Sequence, residues 1–370
     1  MKGIYVHIPF CVKKCGYCDF VSVNASEEFI EEYFESLERE INSFESKDMR
    51  VDSVFFGGGT PSFVHEKYIE QILNIINKKF CLSGESEITI ECNPCSVTNE
   101  KLAVYKSCGI NRISIGMQSA DDKILEFLGR SHKYSDFLAA YENANKYFDN
   151  INIDVMYAIP SQSKESFEKT VKILACLQPE HISGYALKIE ENTPFGKLEK
   201  TGKICAVNDE TDREMYHYMS HFLKNAGYAH YEISNFAKAG KECRHNLKYW
   251  TGEEYVGFGA AAHSYVGGFR YRNTGDIKKY ILGAGHEEVT KIEKDEKTEE
   301  FLMLRTRLAA GINFAGYEKI FGENFEEKFS RGIAKLEKAN LIKKDKKGIY
   351  PTLKGFDLQN VLAITLMECL

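Results

Sequence analysis

Three of the chain's eleven cysteines fall within eight residues, Cys11, Cys15 and Cys18, in the run IYVHIPFCVKKCGYCDF. Composition alone makes such a C-x3-C-x2-C pattern a rare accident. A structural zinc site asks for a fourth Cys or His at a matching spacing, and nothing pairs obviously with this loop. A redox C-x-x-C pair at Cys15 and Cys18 leaves Cys11 without a role. Three thiolates on one short loop suit a cubane 4Fe–4S cluster with one iron left open. Soft thiolates favour iron–sulfur chemistry, and a cluster normally takes four ligands, so an outside ligand must complete it.

A second run, FFGGGTPS at 55–62, directly follows an apolar stretch. Its glycines remove side chains where backbone must approach a ligand, and Pro61 suits the first turn of a helix. The run lacks the Lys-Ser/Thr of a P-loop and the G-x-G-x-x-G of a dinucleotide site. Polar residues stand at or near the ends of further strand-like runs: Glu91 in ITIECNP, Gln118 in RISIGMQS, Arg130 in LGRSH and Asp154 in NIDVMYAIP, with Ala186 in SGYALK.

The elements that must position these groups alternate. Strands are predicted over 3–8, 51–56, 87–91, 112–117, 152–157 and 181–187. Amphipathic helices are predicted over 27–44, 67–80 and 164–177, where apolar residues recur at three- and four-residue steps. Strands alternating with helices imply parallel βαβ units with right-handed crossovers. Either an open doubly wound sheet or a partial barrel follows, and in both the chemistry collects at the carboxyl ends of the strands.

The cysteine run, with the aromatic Tyr17 just before its last cysteine, resembles the radical S-adenosylmethionine (SAM) superfamily. The resemblance implies that the amino and carboxylate groups of SAM chelate the open iron of a cluster on Cys11, Cys15 and Cys18. It further implies that the reduced cluster cleaves SAM to a 5′-deoxyadenosyl radical. GGGTP resembles the superfamily's GGE-type motif, which puts Gly58, Gly59 and Thr60 at the methionine amino group. Taken as a series, Tyr5, Tyr17, Glu91, Gln118, Arg130, Asp154 and Ala186 resemble the SAM contacts of the oxygen-independent coproporphyrinogen III oxidase family. The fold implied is α/β: an incomplete (β/α)6 TIM-like radical SAM barrel with a small C-terminal winged-helix-like domain.

Within that family the true oxidases carry a further cysteine two residues after the third, where this chain has Phe20, and a longer amino-terminal extension. The segment HYEISNFAKAGKECRHNLKYW resembles instead the haem chaperone (HemW-type) branch, whose H-N-x-x-Y-W signature falls on His245, Asn246, Tyr249 and Trp250. That branch implies haem as bound cargo, delivery to haem-requiring respiratory proteins, and an electron donor for the cluster; a homodimer is left open. Imidazole is a common axial ligand of haem iron, so His245 is a candidate ligand and Cys243 a second. The competing function is oxidative decarboxylation of coproporphyrinogen III, or another radical SAM reaction on a tetrapyrrole. His7 is expected to support the cysteine loop. His217 and His221 lack the glutamate of H-E-x-x-H, and Cys92 and Cys95 have no partner pair.

Domains are expected over 1–230 (partial barrel), 231–290 (connecting region with H-N-x-x-Y-W) and 291–370. In the last, LEKANLIKKDKKGIYPTLKG reads as helix, strand, turn and strand. A net charge of −6 argues against a nucleic-acid binder, and no secretory leader or membrane-spanning stretch is legible. The expected location is the cytoplasm, with peripheral attachment to a membrane left open.

Overall fold

The computed structural model describes residues 1–46 and 48–370. Six parallel strands stand side by side in chain order: β1 (Lys2–Ile8), β2 (Arg50–Gly58), β3 (Cys81–Cys92), β4 (Arg112–Gln118), β5 (Ile151–Tyr157) and β6 (His181–Ala186). Beyond β6 the row continues antiparallel. Of β7 (Ala229–Glu232) and β8 (Asn235–Ala237), it is β8 that pairs with β6. Beyond β1 it continues through β9 (Tyr255–Phe258), β10 (His263–Val266), β11 (Phe269–Asn273) and β12 (His286–Lys291), of which β9 is parallel to β1. The linear order, with β12 and β7 at its two ends, is that of a barrel left open.

The helices form where the apolar spacing predicts them. Helix Glu27–Ser43 starts behind Ser26, whose side chain accepts from the Phe29 amide, and buries Ile30, Tyr33, Phe34, Leu37 and Ile41. Helices Glu66–Lys79 and Lys164–Leu177 do the same.

Side-chain alternation along the six strands separates two environments. Ile4, Val6 and Ile8 of β1, Ile113, Ile115 and Met117 of β4, and Ile151, Ile153 and Val155 of β5 belong to one apolar core. The opposite residues are largely polar, with Phe55 and Met156 among the exceptions. The ladder register aligns Ser53 with Glu87, Thr89 with Arg112, Glu91 with Ser114, Ser114 with Asn152, and Asp154 with Ser183. Parallel strands covered by apolar layers on both faces read as near-continuous hydrophobic runs. A polar inner face is therefore an interior built for something other than packing.

Residues 231–290 supply strands to both ends of the row and also the short helix Arg244–Thr251, which crosses the amino-terminal end of the barrel. The Glu87 carboxylate accepts from the Arg244 and His245 amides at its first turn, both at 3.0 Å. Lys248, buried, pairs with Asp52 at 2.7 Å. Gly3 makes the approach feasible, since a Cβ there would lie 3.0 Å from the Lys248 side chain and 3.2 Å from the His245 ring.

The C-terminal residues gather around a second core that includes Leu302, Tyr317, Phe325, Phe329 and Leu336. Its three-stranded antiparallel sheet is made of β13 (Ile312–Asn313), β14 (Ile342–Lys344) and β15 (Gly348–Pro351), in the order β13-β15-β14. Helix Ser330–Lys338 followed by the β14–β15 hairpin is the helix–strand–turn–strand reading of the sequence. In the turn, the Asp345 side chain accepts from the Lys347 and Gly348 amides, while the lysines face solvent.

Candidate functional site

The cysteine loop leaves β1 at Ile8 and is fastened at several points. The Cys11 amide donates to Val23 O at 3.0 Å and the Val23 amide to Pro9 O at 2.9 Å. Gly16 donates to Leu128 O, and the Phe195 amide donates to Gly16 O. His7 supports the loop as expected: its Nε2 lies 3.0 Å from Val21 O and its Nδ1 3.1 Å from the Tyr5 hydroxyl. All three thiols are free and partly buried. Burial pushes the Cys18 thiol up from its ordinary value.

The glycine run lies against the loop. Gly58 takes φ +110°, and a Cβ there would meet the His7 ring at 2.6 Å. A Cβ on Gly59 would meet backbone atoms of Phe10 at 2.8 Å. Gly59 and Thr60 use their amides to bind Ile8 O and Phe10 O, so both help to hold the loop. Thr60 Oγ1 also lies 3.4 Å from Cys11 Sγ.

On the far side Arg130 donates through Nη2 to Gly116 O at 3.1 Å and points Nη1 at Cys15 Sγ, 3.9 Å away. Its Nε is buried without a partner among the described residues. Gln118, at the end of β4, takes φ +63°, a conformation uncommon outside glycine. Tyr17 packs on Phe195 beneath the loop. Ala186 ends β6.

Inside the barrel, Tyr5, Gly58, Glu91 and Asp154 line a cavity of about 240 Å³ together with Arg112, Asn246 and Tyr249. Phe20 and Tyr185, 67% and 41% exposed, stand at its mouth. The Glu91 carboxylate accepts from the Gly58 amide at 3.1 Å. Burial, with the Asp154 carboxylate adding to it, pushes Glu91 up to about 8. Asp154 is also raised, by burial, although it accepts from Ser114 Oγ and Asn152 Nδ2. A cationic ligand would restore charge to both carboxylates.

His245 and Cys243, the two candidate haem ligands, sit near the start of the helix Arg244–Thr251. His245 is 1% exposed, with Nδ1 3.0 Å from Ser53 Oγ and Nε2 2.9 Å from the Tyr249 hydroxyl. Its ring stacks on Phe55, and burial first, then the Lys248 charge, lowers it to about 3. Cys243 is fully buried behind Glu87, and burial pushes its thiol up to about 12. Both help to build the barrel floor, and His245 lines the cavity there.

The reading of the sequence passed over Arg112, Ser114, Asn152 and Ser183, which line the cavity below Glu91. The signal was present as polar residues at every second position of predicted strands. Among the described residues, no His, Cys, Asp or Glu cluster suits a single metal ion, and no helix is long and apolar enough to cross a membrane.

Residues 5–174 match the radical SAM superfamily, and residues 292–358 match the HemN C-terminal domain. The chain is 35% identical to the heme chaperone HemW of Bacillus subtilis (strain 168), over 97% of each chain. It is equally 35% identical to the heme chaperone HemW of Lactococcus lactis subsp. lactis (strain IL1403), over 97% of this chain and 95% of that one. The chain belongs to the HemW family of radical SAM proteins. Its fold matches that of coproporphyrinogen III oxidase (HemN) from Escherichia coli, with a TM-score of 0.85 at 23% identity, covering 100% of this chain and 90% of that one.

Proposed function

We propose that this protein is a haem chaperone that binds haem and passes it to haem-requiring proteins of respiration. The observation that carries the reading is the end-to-end similarity to relatives named heme chaperone HemW. The exposed aromatics Phe20 and Tyr185 at the cavity mouth support it, because a flat apolar macrocycle stacks on such rings.

Cys11, Cys15 and Cys18 would hold a 4Fe–4S cluster, and SAM would complete it. Three free, partly buried thiols on one fastened loop, with a cation beside Cys15, fit that group. When bound, the cluster supplies an electron that can break a carbon–sulfur bond of SAM. Arg130 would meet the SAM carboxylate, and Glu91 and Asp154 its cationic and hydroxyl groups. Gly58, Gly59, Thr60, Gln118, Ala186, Tyr5 and Tyr17 would shape the pocket around it. The partners of this reading are haem-accepting proteins and an electron donor, with a homodimer as a further element; its setting is the cytoplasm.

The test is an anaerobic haem titration of the protein reconstituted with iron and sulfide, followed by the Soret band and then by transfer to an apo haem protein. Saturable binding with transfer is expected. The polar barrel interior favours a second reading, a radical SAM reaction on a tetrapyrrole. Absence of haem binding together with coproporphyrinogen III turnover would select it.

A further inference from the structure

The barrel floor holds a guanidinium to which no group of the proposed cluster or SAM site is hydrogen-bonded. Arg112 is the first residue of β4 and points inward. It is 2% exposed, it lines the cavity, and its Nε is buried without a hydrogen-bond partner. Among the described residues it makes no salt bridge. The Glu87 and Asp154 carboxylates lie close enough for their charges to act on it, but its Nε–H has no acceptor, and a buried donor left unmet is costly.

The groups facing Arg112 are already engaged. Glu87 spends its carboxylate on the amides of Arg244 and His245 and on the Cys243 thiol. Asp154 is held by Ser114 and Asn152, and Tyr231 lies 2.8 Å from His181 Nε2 and accepts from the Cys243 amide. Asn246 lines the same cavity, and its side-chain amide makes no hydrogen bond among the described residues. A guanidinium fork and a free amide on one cavity are the donors that a carboxylate takes bidentately.

We infer that Arg112 and Asn246 form a carboxylate-binding subsite at the floor of the barrel, taking the acid group of an organic ligand that enters past Phe20 and Tyr185. A volume of about 240 Å³ is below the roughly 300–1,000 Å³ of pockets that enclose drug-sized ligands. It excludes a whole macrocycle, and with SAM at the Gly58 and Glu91 side the part beside Arg112 and Asn246 admits only a small acid or the acid arm of a larger molecule. The acid comes either from a free small carboxylate or from a propionate arm of a tetrapyrrole held at the mouth; only the second source rests on the haem reading.

The test is a titration of the reconstituted protein with propionate at constant ionic strength, following the arginine Nε–H resonances by NMR. One resonance is expected to shift saturably and to be missing in Arg112→Lys. Asn246→Leu, which leaves the Arg112 side chain and its strand intact, is expected to weaken the response about tenfold or more, the loss typical of a hydrogen bond to a charged group. No responding resonance, or a response unchanged in both variants, overturns the subsite. Mesoporphyrin and its dimethyl ester then separate the two sources. A preference for the free acid that disappears in Arg112→Lys assigns the arm to the tetrapyrrole. Saturation by propionate with no such preference supports a free small acid. Saturation by propionate with no porphyrin bound at all leaves the subsite standing and removes the haem reading.

Discussion

Arg130 Nη1 lies 3.9 Å from Cys15 Sγ, while Nη2 of the same guanidinium donates to Gly116 O at 3.1 Å, so one side chain couples the cysteine loop to the end of β4. A positive charge beside a thiolate ligand stabilises the reduced, more negative state of a cluster. Arg130→Met is expected to lower the midpoint potential while iron content stays near that of the parent. A redox titration followed by EPR checks this, and an unchanged potential would remove Arg130 from that role.

Each of the three cysteines is expected to be indispensable for the cluster. Cys11→Ala, Cys15→Ala and Cys18→Ala should each lose the broad visible absorbance of the reconstituted protein, with iron content falling well below four per chain, the complement of such a cluster. Retention of full cluster content in any one of them would sink the three-thiolate assignment.

Glu91 sets a pH dependence whose sign follows from its raised value of about 8, against an ordinary 4.5. Between those values the folded protein binds more protons than the unfolded chain, so Glu91 lowers stability as pH rises through this window. Glu91→Gln should flatten the fall in denaturation midpoint between pH 5 and 8. SAM binding should release a proton near neutral pH in the parent and not in the variant, which calorimetry in buffers of different ionisation enthalpy would detect.

Gly59 approaches Phe10 so closely that any Cβ would lie 2.8 Å from its backbone nitrogen and oxygen. Gly59→Ala must push the glycine run and the cysteine loop apart, at a cost of about 1–3 kcal/mol. The expected result is a lower denaturation midpoint together with weaker SAM binding. A variant matching the parent in both would show that the two segments move independently.

His245→Ala removes a stacked ring and two hydrogen bonds from the floor, a loss of about 2–4 kcal/mol. Because the imidazole is already engaged, the Soret maximum of bound haem should keep its position while thermal stability falls. A moved Soret maximum with stability intact would make His245 the iron ligand after all.

The cysteine spacing, the glycine run and the alternation of strands with helices were sufficient to establish the βαβ order, the six parallel strands and the loop on which Cys11, Cys15 and Cys18 sit. These depend on local chemistry: thiols a few residues apart share a loop in any fold, and apolar periodicity marks buried faces directly. The helix–strand–turn–strand of the C-terminal part was legible for the same reason. Three things were decided only by tertiary structure. Which end of the barrel the H-N-x-x-Y-W helix occupies depends on long-range contacts, with Glu87 at its amides, Ser53 at His245 and Asp52 at Lys248, between residues more than 150 positions apart. Those contacts place His245 at the barrel floor, with a partner at each ring nitrogen. The gathering of Arg112, Asn152 and Asp154 around one cavity likewise needs the sheet to curl, since alternation says that they share a face and cannot say that the face closes on itself. The placing of Arg130 beside Cys15 completes the set: the two stand 115 positions apart, and the chain between them must fold before they meet.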